Sequence, residues 1–364
     1  MNANRRLYNL PIVVRCNLLI IIVLLTVSSS VGFYLRASMT IKNSTSYTNV
    51  VNAMQTSGKF ALRALWRPYH NQLAVTYSES TNIDIVDVST KTVQGTLVTP
   101  SLVAPALGVS DVAWSLDGTL LASSFEDNVV NVWDLRNAVP IYSRTIFNKG
   151  RVPSLSWNPD GRKLAVTWGY DDDRSVLIWD VADGSLLTSI EDELRAFKWG
   201  IWSPNEQLFA TATWDGMYKL WDGRFYNLLI SIPEVAGAEQ SSTRLATWSP
   251  DSHHLAGVNC IHTSGSCTIW MYDVDNKTLS EPLQYDYESS LRAAQLSWSP
   301  DGKYLGASDE SRQVVYIWDV FTKTLVSTLS DFSNPVTSIS WSSDSQHLAL
   351  ADGTLHIWNI STKN

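Results

Sequence analysis

Cys260 and Cys267 carry the most definite chemistry in the chain. They flank Ile-His-Thr-Ser-Gly-Ser, a small, mostly polar stretch that suits a hairpin loop between two strands. Symmetric antiparallel pairing sets such residues opposite one another, with Cα atoms in the roughly 4.4–6.8 Å range that a disulfide bridges. Outside the cytoplasm the pair is expected to oxidise; the plainer alternative is two small buried thiols. The spacing to His262 does not resemble a zinc signature, and Cys16 lies far away in an apolar segment.

Carboxylates form a second group. Glu79, Glu126-Asp127, Asp171-Asp172-Asp173, Asp215, Asp309-Glu310 and Asp352 recur between apolar runs. Gathered on one face, they would make an acidic rim that attracts a basic partner or a cation. The competing reading is turn chemistry, because Asp and Gly favour tight turns. Asp171, Asp172 and Asp173 form the densest group, yet without a wider ligand pattern they fall short of a calcium site.

Aromatic residues crowd the same places. Tyr77, Phe125 and Trp168 end apolar runs, Tyr170 and Trp214 sit in the loops beyond, and Trp199 stands three residues before Trp202. An aromatic arc in polar surroundings suits a binding hot spot. The expected partner-binding face is therefore Trp168, Tyr170, Trp199 and Trp214 with Asp171, Asp172, Asp173, Glu126 and Asp127. Core packing competes with that reading, above all for Tyr77, Phe125 and Trp168. Asn43, Asn276 and Asn359 open glycosylation triplets, and Asn276 is the accessible acceptor if the source is eukaryotic.

Catalytic signatures are missing: no Gly-x-Ser-x-Gly elbow, no glycine-rich phosphate loop opening a helix, and six scattered histidines. Neither enzymatic activity nor a metal or cofactor is expected. The 35 acids against 27 bases leave a net charge of −8, the wrong sign for gripping a nucleic-acid backbone. A chain that is 45% hydrophobic and 17% charged folds rather than staying disordered.

The N-terminus reads differently from the rest. Arg5, Arg6 and Arg15 precede an uncharged stretch from Cys16 to Leu35, closed by Arg36. Those 20 residues are about what a helix needs to cross a hydrocarbon core. The strongest part, Leu18–Val27, is shorter and runs into Ser28-Ser29-Ser30, which is also how a cleaved secretory signal reads. The charge bias favours the N-terminus inside. Either a single-pass membrane anchor or a secreted chain follows, and both put the remainder outside the cytoplasm.

What must position these side chains is a repeat. Apolar strands ending in Trp and a Pro/Asp/Gly turn occur at Trp66, Trp114, Trp157, Trp202, Trp248, Trp298 and Trp341, in steps of 48, 43, 45, 46, 50 and 43 residues. Each is followed by a strand ending in a large residue and Asp or Asn: Val86-Asp87, Trp133-Asp134, Trp179-Asp180, Trp221-Asp222, Tyr272-Asp273, Trp318-Asp319 and Trp358-Asn359. The two signatures absorb twelve of the 16 tryptophans. Within a unit the period is two, as in Leu164-Ala-Val166-Thr-Trp168, and four short strands fill each unit of about 45 residues.

Together the Trp-Ser-Pro-Asp-Gly turn and the Ile-Trp-Asp strand end resemble WD-repeat β-propellers over residues 59–364. The resemblance implies an all-β, seven-bladed ring that serves as a protein–protein interaction scaffold, the alternative being an enzyme or small-ligand receptor that uses the mouth of the central channel. The chain departs from the pattern in lacking the Gly-His dipeptide in all seven units. The hydrogen-bonded tetrad of such repeats (His, Ser, Trp and Asp) is therefore not expected to form as such, with Tyr77, Phe125 and Trp168 standing where its hydroxyl residue would sit. The expected organisation is a hydrophobic N-terminal helix within 1–36, a tether and closing strand within 37–58, and the propeller over 59–364. Since the last unit stops near its third strand, Tyr47–Met54 is the expected outer strand that closes the ring within one chain. Non-reduced peptide mapping is expected to return Cys260 joined to Cys267; alkylation of both as free thiols would exclude the bridge.

Overall fold

A computed structural model describes residues 50–54, 58–98, 108–125, 129–135, 139–145, 152, 154–167, 175–191, 197–213, 216–232, 245–260, 267–283 and 293–360. Its strands form seven four-stranded antiparallel sheets, the blades of a propeller. In six of them four consecutive strands run in order from the inner to the outer edge. The seventh takes its inner three strands from Ser338–Trp341, His347–Ala351 and Leu355–Asn359, and its outer strand from Val50–Met54. Asn52 lies opposite Ile357 and Met54 opposite Leu355, so first and last segments close the ring. The expected closing strand is thus described from Val50 onward. Residues 47–49, the 16–35 segment with its expected helix, and the 36–46 tether lie outside the described residues. Among those described, no helix is long and apolar enough to cross a membrane.

The period of two has a particular meaning here. In blade two, Leu121 and Phe125 pack with Ile83 and Ile85 of blade one, whereas Ala122 and Val130 pack with Leu155 and Trp157 of blade three. Alternate residues face alternate neighbours, so both faces are buried and the second strands hold almost no exposed side chain. Cores therefore lie between blades.

The inner-strand tryptophans tie one blade to the next. The indole N–H of Trp114 donates to Leu65 O at 3.2 Å, Trp157 to Ala113 O at 2.9 Å, Trp248 to Ile201 O at 3.3 Å, Trp298 to Thr247 O at 3.2 Å and Trp341 to Ser297 O at 3.1 Å. Each acceptor immediately precedes the tryptophan of the preceding blade. Trp66 and Trp202 instead donate within their own blades, to His70 O and Gly223 O. There a serine hydroxyl of the preceding blade takes over: the backbone N–H of Trp66 donates to Ser340 Oγ at 2.8 Å and that of Trp202 to Ser156 Oγ at 3.4 Å.

The turns explain the rest of the signature. Ser115 Oγ lies 2.6 Å from Asp117 Oδ1 and accepts from Leu120 N, and the same loop recurs at Ser249–Asp251 and Ser299–Asp301. Two residues' further winding needs a left-handed backbone, supplied by Gly118 at φ 69°. A Cβ there would also meet Pro68 O at 2.6 Å. Where glycine is absent, the side chain bonds the preceding blade: Glu206 Oε1 accepts from Asn158 Nδ2 at 2.6 Å, Ser252 Oγ from Asn205 N and Ser345 Oγ from Asp301 N, both at 3.0 Å. The Asp that ends the third strand caps its own turn in blades one, three, four, five and six, as Asp319 Oδ1 does by accepting Thr322 N at 2.8 Å.

One expectation needs correction. The tetrad hydroxyls are Ser123, which accepts the Trp133 indole at 2.8 Å, and Thr211, which accepts that of Trp221 at 2.8 Å. Phe125 stands two residues beyond Ser123 and is buried between blades one and two, and Tyr77 is buried with its hydroxyl on Asp84 Oδ2 at 2.9 Å. The Trp-to-hydroxyl link thus survives in blades two and four without the Gly-His dipeptide. Trp298→Phe should cost about 1–3 kcal/mol by orphaning the Thr247 carbonyl, read as a lower urea midpoint at unchanged m; an unchanged midpoint would discount the indole ladder.

Candidate functional site

The antiparallel order puts the first-to-second and third-to-fourth turns on one face of the ring and the second-to-third loops on the other. Most of the expected partner face belongs to the latter. Trp168, Tyr170, Asp171, Asp172, Asp173, Trp214, Glu126 and Asp127 all lie outside the described residues. Trp199 is described: it is half-buried and packs against the cluster between blades four and five, formed by Ala212, Tyr218, Trp248 and their neighbours. Its ring supports a blade seam and leaves one side open.

Four of the carboxylates named for that face are described: Glu79 is exposed and Glu310 half-buried, while Asp309 and Asp352 do not contribute to an acidic rim. Asp309 and Asp352 are buried within their turns, and the turn reading applies to both. Asp309 Oδ1 accepts Ser311 N at 2.9 Å and Ser311 Oγ at 2.6 Å, and Arg312 reaches within 3.9 Å of Oδ2. Asp352, 1% exposed, accepts Thr354 Oγ1 at 2.6 Å, Ser333 N at 2.9 Å and Thr354 N at 3.1 Å, with His356 Nε2 at 2.8 Å. A His, an Asp and a hydroxyl together suggest nucleophile activation, but His356 touches both Asp352 and Thr354 with the same nitrogen. A relay needs a different nitrogen for each partner. The cluster is a seam instead: Gly353 pairs with Ala61 of blade one, and Phe332 packs edge-on to His356.

Inner strands at the channel show the same commitment. Arg63 Nη1 lies 3.0 Å from Asp111 Oδ1, and Asp111 Oδ2 accepts Leu155 N at 2.8 Å, so this pair joins blades one, two and three. Among the described residues, no group of three or more His, Cys, Asp and Glu could hold a metal ion. Cys260 and Cys267 stand opposite each other in the blade-five hairpin and are joined as a disulfide. Asn276 is exposed in the following turn, its amide donating to Asp273 Oδ2 at 2.8 Å, whereas Asn359 is half-buried in the closing sheet.

The signature-turn face carries what sequence reasoning missed. Tyr69 is 75% exposed, Leu116 50%, Phe225 67% and Phe321 94%. Tyr69 holds φ at 59°, a region unfavourable for a bulky residue, and its N–H donates to Ser343 Oγ at 2.8 Å. Beside it Arg67 Nε donates to Gly118 O at 2.7 Å while the guanidinium lies 5.4 Å from the Trp114 ring. The turns of blades one and two are therefore bolted together, and each carries one exposed apolar side chain, Tyr69 and Leu116. The signal was available: apolar residues at tip positions where the other units carry Pro, Ser, Asn or Asp.

Burial alone would raise the Asp352 carboxyl, but the hydrogen bonds from Thr354, His356 and the Thr354 and Ser333 amides hold it below its ordinary 3.8. A depressed carboxylate stabilises the fold above its unfolded-state value and loses that contribution as pH falls through the folded one. Asp352→Asn should therefore lower Tm at neutral pH, with the gap to wild type closing as pH falls below the ordinary carboxylate value; a gap constant with pH would show that the ionised form contributes nothing.

Comparison with known proteins agrees with this architecture. Residues 99–134 and 323–359 match the WD domain, G-beta repeat, and residues 130–282 match a model described as eukaryotic translation initiation factor eIF2A. The WD repeat-containing protein slp1 of Schizosaccharomyces pombe is 32% identical over 188 residues, covering 50% of this chain and 37% of slp1. The WD repeat-containing protein WDS homolog of Arabidopsis thaliana is 24% identical over 265 residues, 70% of this chain and 47% of that protein. Protein hir1 of S. pombe is 28% identical over 176 residues, 44% and 19% respectively. The chain thus spans under half the length of each of these relatives. Both WD matches end where a third strand ends, at Asp134 and Asn359, and the second joins the outer strand of blade six, Thr324–Leu329, to the inner three of blade seven. The chain carries WD repeats, closed into a seven-bladed propeller.

Proposed function

We propose that this protein is a non-enzymatic interaction scaffold, a rigid ring that receives a protein partner on its turns and loops. The observation that carries this reading is the exposure of Tyr69 and Leu116 on turns that hydrogen bonds join between blades one and two. An exposed aromatic and an exposed aliphatic residue on fixed polar turns suit an interface anchor. The relatives' WD-repeat names support the same class of role, although fold likeness alone never fixes a function. An enzyme or small-ligand receptor would use convergent ionisable groups at the channel, and Arg63 with Asp111 is spent on joining blades.

In this proposal the apolar segment 16–35 either anchors the chain in a membrane or is cleaved on export, and the propeller works outside the cytoplasm. Support comes from the segment's composition and from the Cys260–Cys267 bridge, which is characteristic of oxidising compartments. Asn276 is the glycan acceptor of this reading. The loops bearing Trp168, Tyr170, Trp214, Asp171–Asp173 and Glu126-Asp127 form its second partner face.

Crosslinked affinity capture with the full chain tests the scaffold. Tyr69→Ala/Leu116→Ala should retain the wild-type Tm and lose specific captured proteins by at least about tenfold, the order expected when an interface anchor is truncated. A capture profile unaltered both in that variant and in Trp214→Ala would overturn the reading.

A further inference from the structure

Blade five is built differently from its neighbours. Its inner strand, Ala246–Trp248, has 3 residues and its outer strand, Thr278–Leu279, has 2, whereas the inner and outer strands of blade six have 6 each. Its central hairpin is correspondingly long: His254–Cys260 and Cys267–Asp273 have 7 residues each, in continuous register from the His254–Asp273 pair to the Cys260–Cys267 pair. Beyond Leu279 the outer edge continues irregularly, with Ser280 N on Met271 O at 2.8 Å and Leu283 N on Ile269 O at 2.9 Å. Pairing has moved from the margins of the blade to its middle.

Two side-chain devices stand where the strand pairing stops. On one side Tyr218, from blade four, is buried with its hydroxyl 2.8 Å from Val258 O and 3.0 Å from Leu245 O, and it accepts Val258 N at 3.2 Å. Leu245 immediately precedes the short inner strand and accepts Val258 N at 3.2 Å, so the phenol reinforces an existing link between the two strands of blade five. Its ring meets Trp270 edge-on at 4.7 Å, and Trp270 lies so close over Gly257 that a Cβ there would be 2.2 Å away. On the other side Cys260 and Cys267 are buried among Leu296, Trp298 and Tyr316 of blade six.

We propose that the Cys260–Cys267 bond is a conditional staple, holding the open end of the blade-five hairpin beyond its short described flanking strands, so that reduction loosens blade five selectively. The covalent link removes the freedom of that open end. In the reductive step the sulfur–sulfur bond breaks and two thiols form. The two electrons and two protons come from a dithiol, which closes to its own disulfide. Because both sulfurs are buried, the reductant reaches them when the seam between blades five and six opens. This inference is independent of the scaffold reading.

Hydrogen exchange of the full chain tests it, comparing oxidised protein with protein reduced by dithiothreitol and verified by thiol alkylation. Cys260→Ala/Cys267→Ala provides the same comparison if the bond resists reduction. Amides of 254–260 and 267–273 should exchange at least about tenfold faster without the bond, the hairpin of 72–77 and 83–87 should be unaltered, and reoxidation should restore protection. Tyr218→Phe should loosen the same segment. Unaltered exchange in blade five without the bond, or loosening spread evenly over all blades, would overturn the proposal.

Discussion

The inter-blade hydrogen bond of the inner-strand indole is the constraint on which the ring depends. A backbone carbonyl buried at a blade seam has no water to turn to, so it needs a donor from the neighbour. Trp supplies that donor together with a large apolar surface, which is why the first strand of every unit ends in this residue. Sheet packing is otherwise non-directional and would tolerate sliding. Five indole bonds and two serine substitutes fix the height of each blade relative to the last, and the turns can then meet at their tips.

Turn chemistry completes the lock in two interchangeable ways. Gly118 allows the left-handed corner and close approach to Pro68, whereas Ser252 and Ser345 accept backbone strain and bond across the seam. Residues that look like lapses from the repeat are thus functional equivalents. The same holds for Tyr218, whose phenol bridges strands that end early, and for Ser123 and Thr211, which keep an indole satisfied although the dipeptide typical of such repeats is missing.

The ring, its seven units and the Trp and Asp positions were readable because each is tied to a local chemical need that recurs at a fixed period. The tetrad hydroxyl was misplaced by two residues, since alternation identifies which face a residue occupies but not how far along the strand the indole of Trp133 reaches. Burial of Asp309 and Asp352 was equally illegible: an Asp before a turn reads the same whether its carboxylate points to solvent or accepts four hydrogen bonds. Tyr69 escaped notice because tip exposure depends on the neighbouring turn, 51 residues away at the Arg67–Gly118 contact. Much of the second-to-third loop face lies outside the described residues, so its aromatic and acidic side chains stand on sequence alone.

Closure through Val50–Met54 and Leu355–Asn359 has a consequence for the order in which the molecule comes into being. A ribosome delivers the outer strand of blade seven before any other part of the propeller and its three partners last. Until those partners emerge that strand waits as an unpaired edge, and the inner strand of blade one lacks the serine hydroxyls of its neighbour Ser338–Trp341, synthesised about 270 residues later. Long-range pairing of this kind is slow and exposes edges to wrong partners. Nascent chains of this protein should consequently rely on holding factors until the last blade emerges, and a truncation that removes Leu355–Asn359 should harm it more than its few missing residues suggest.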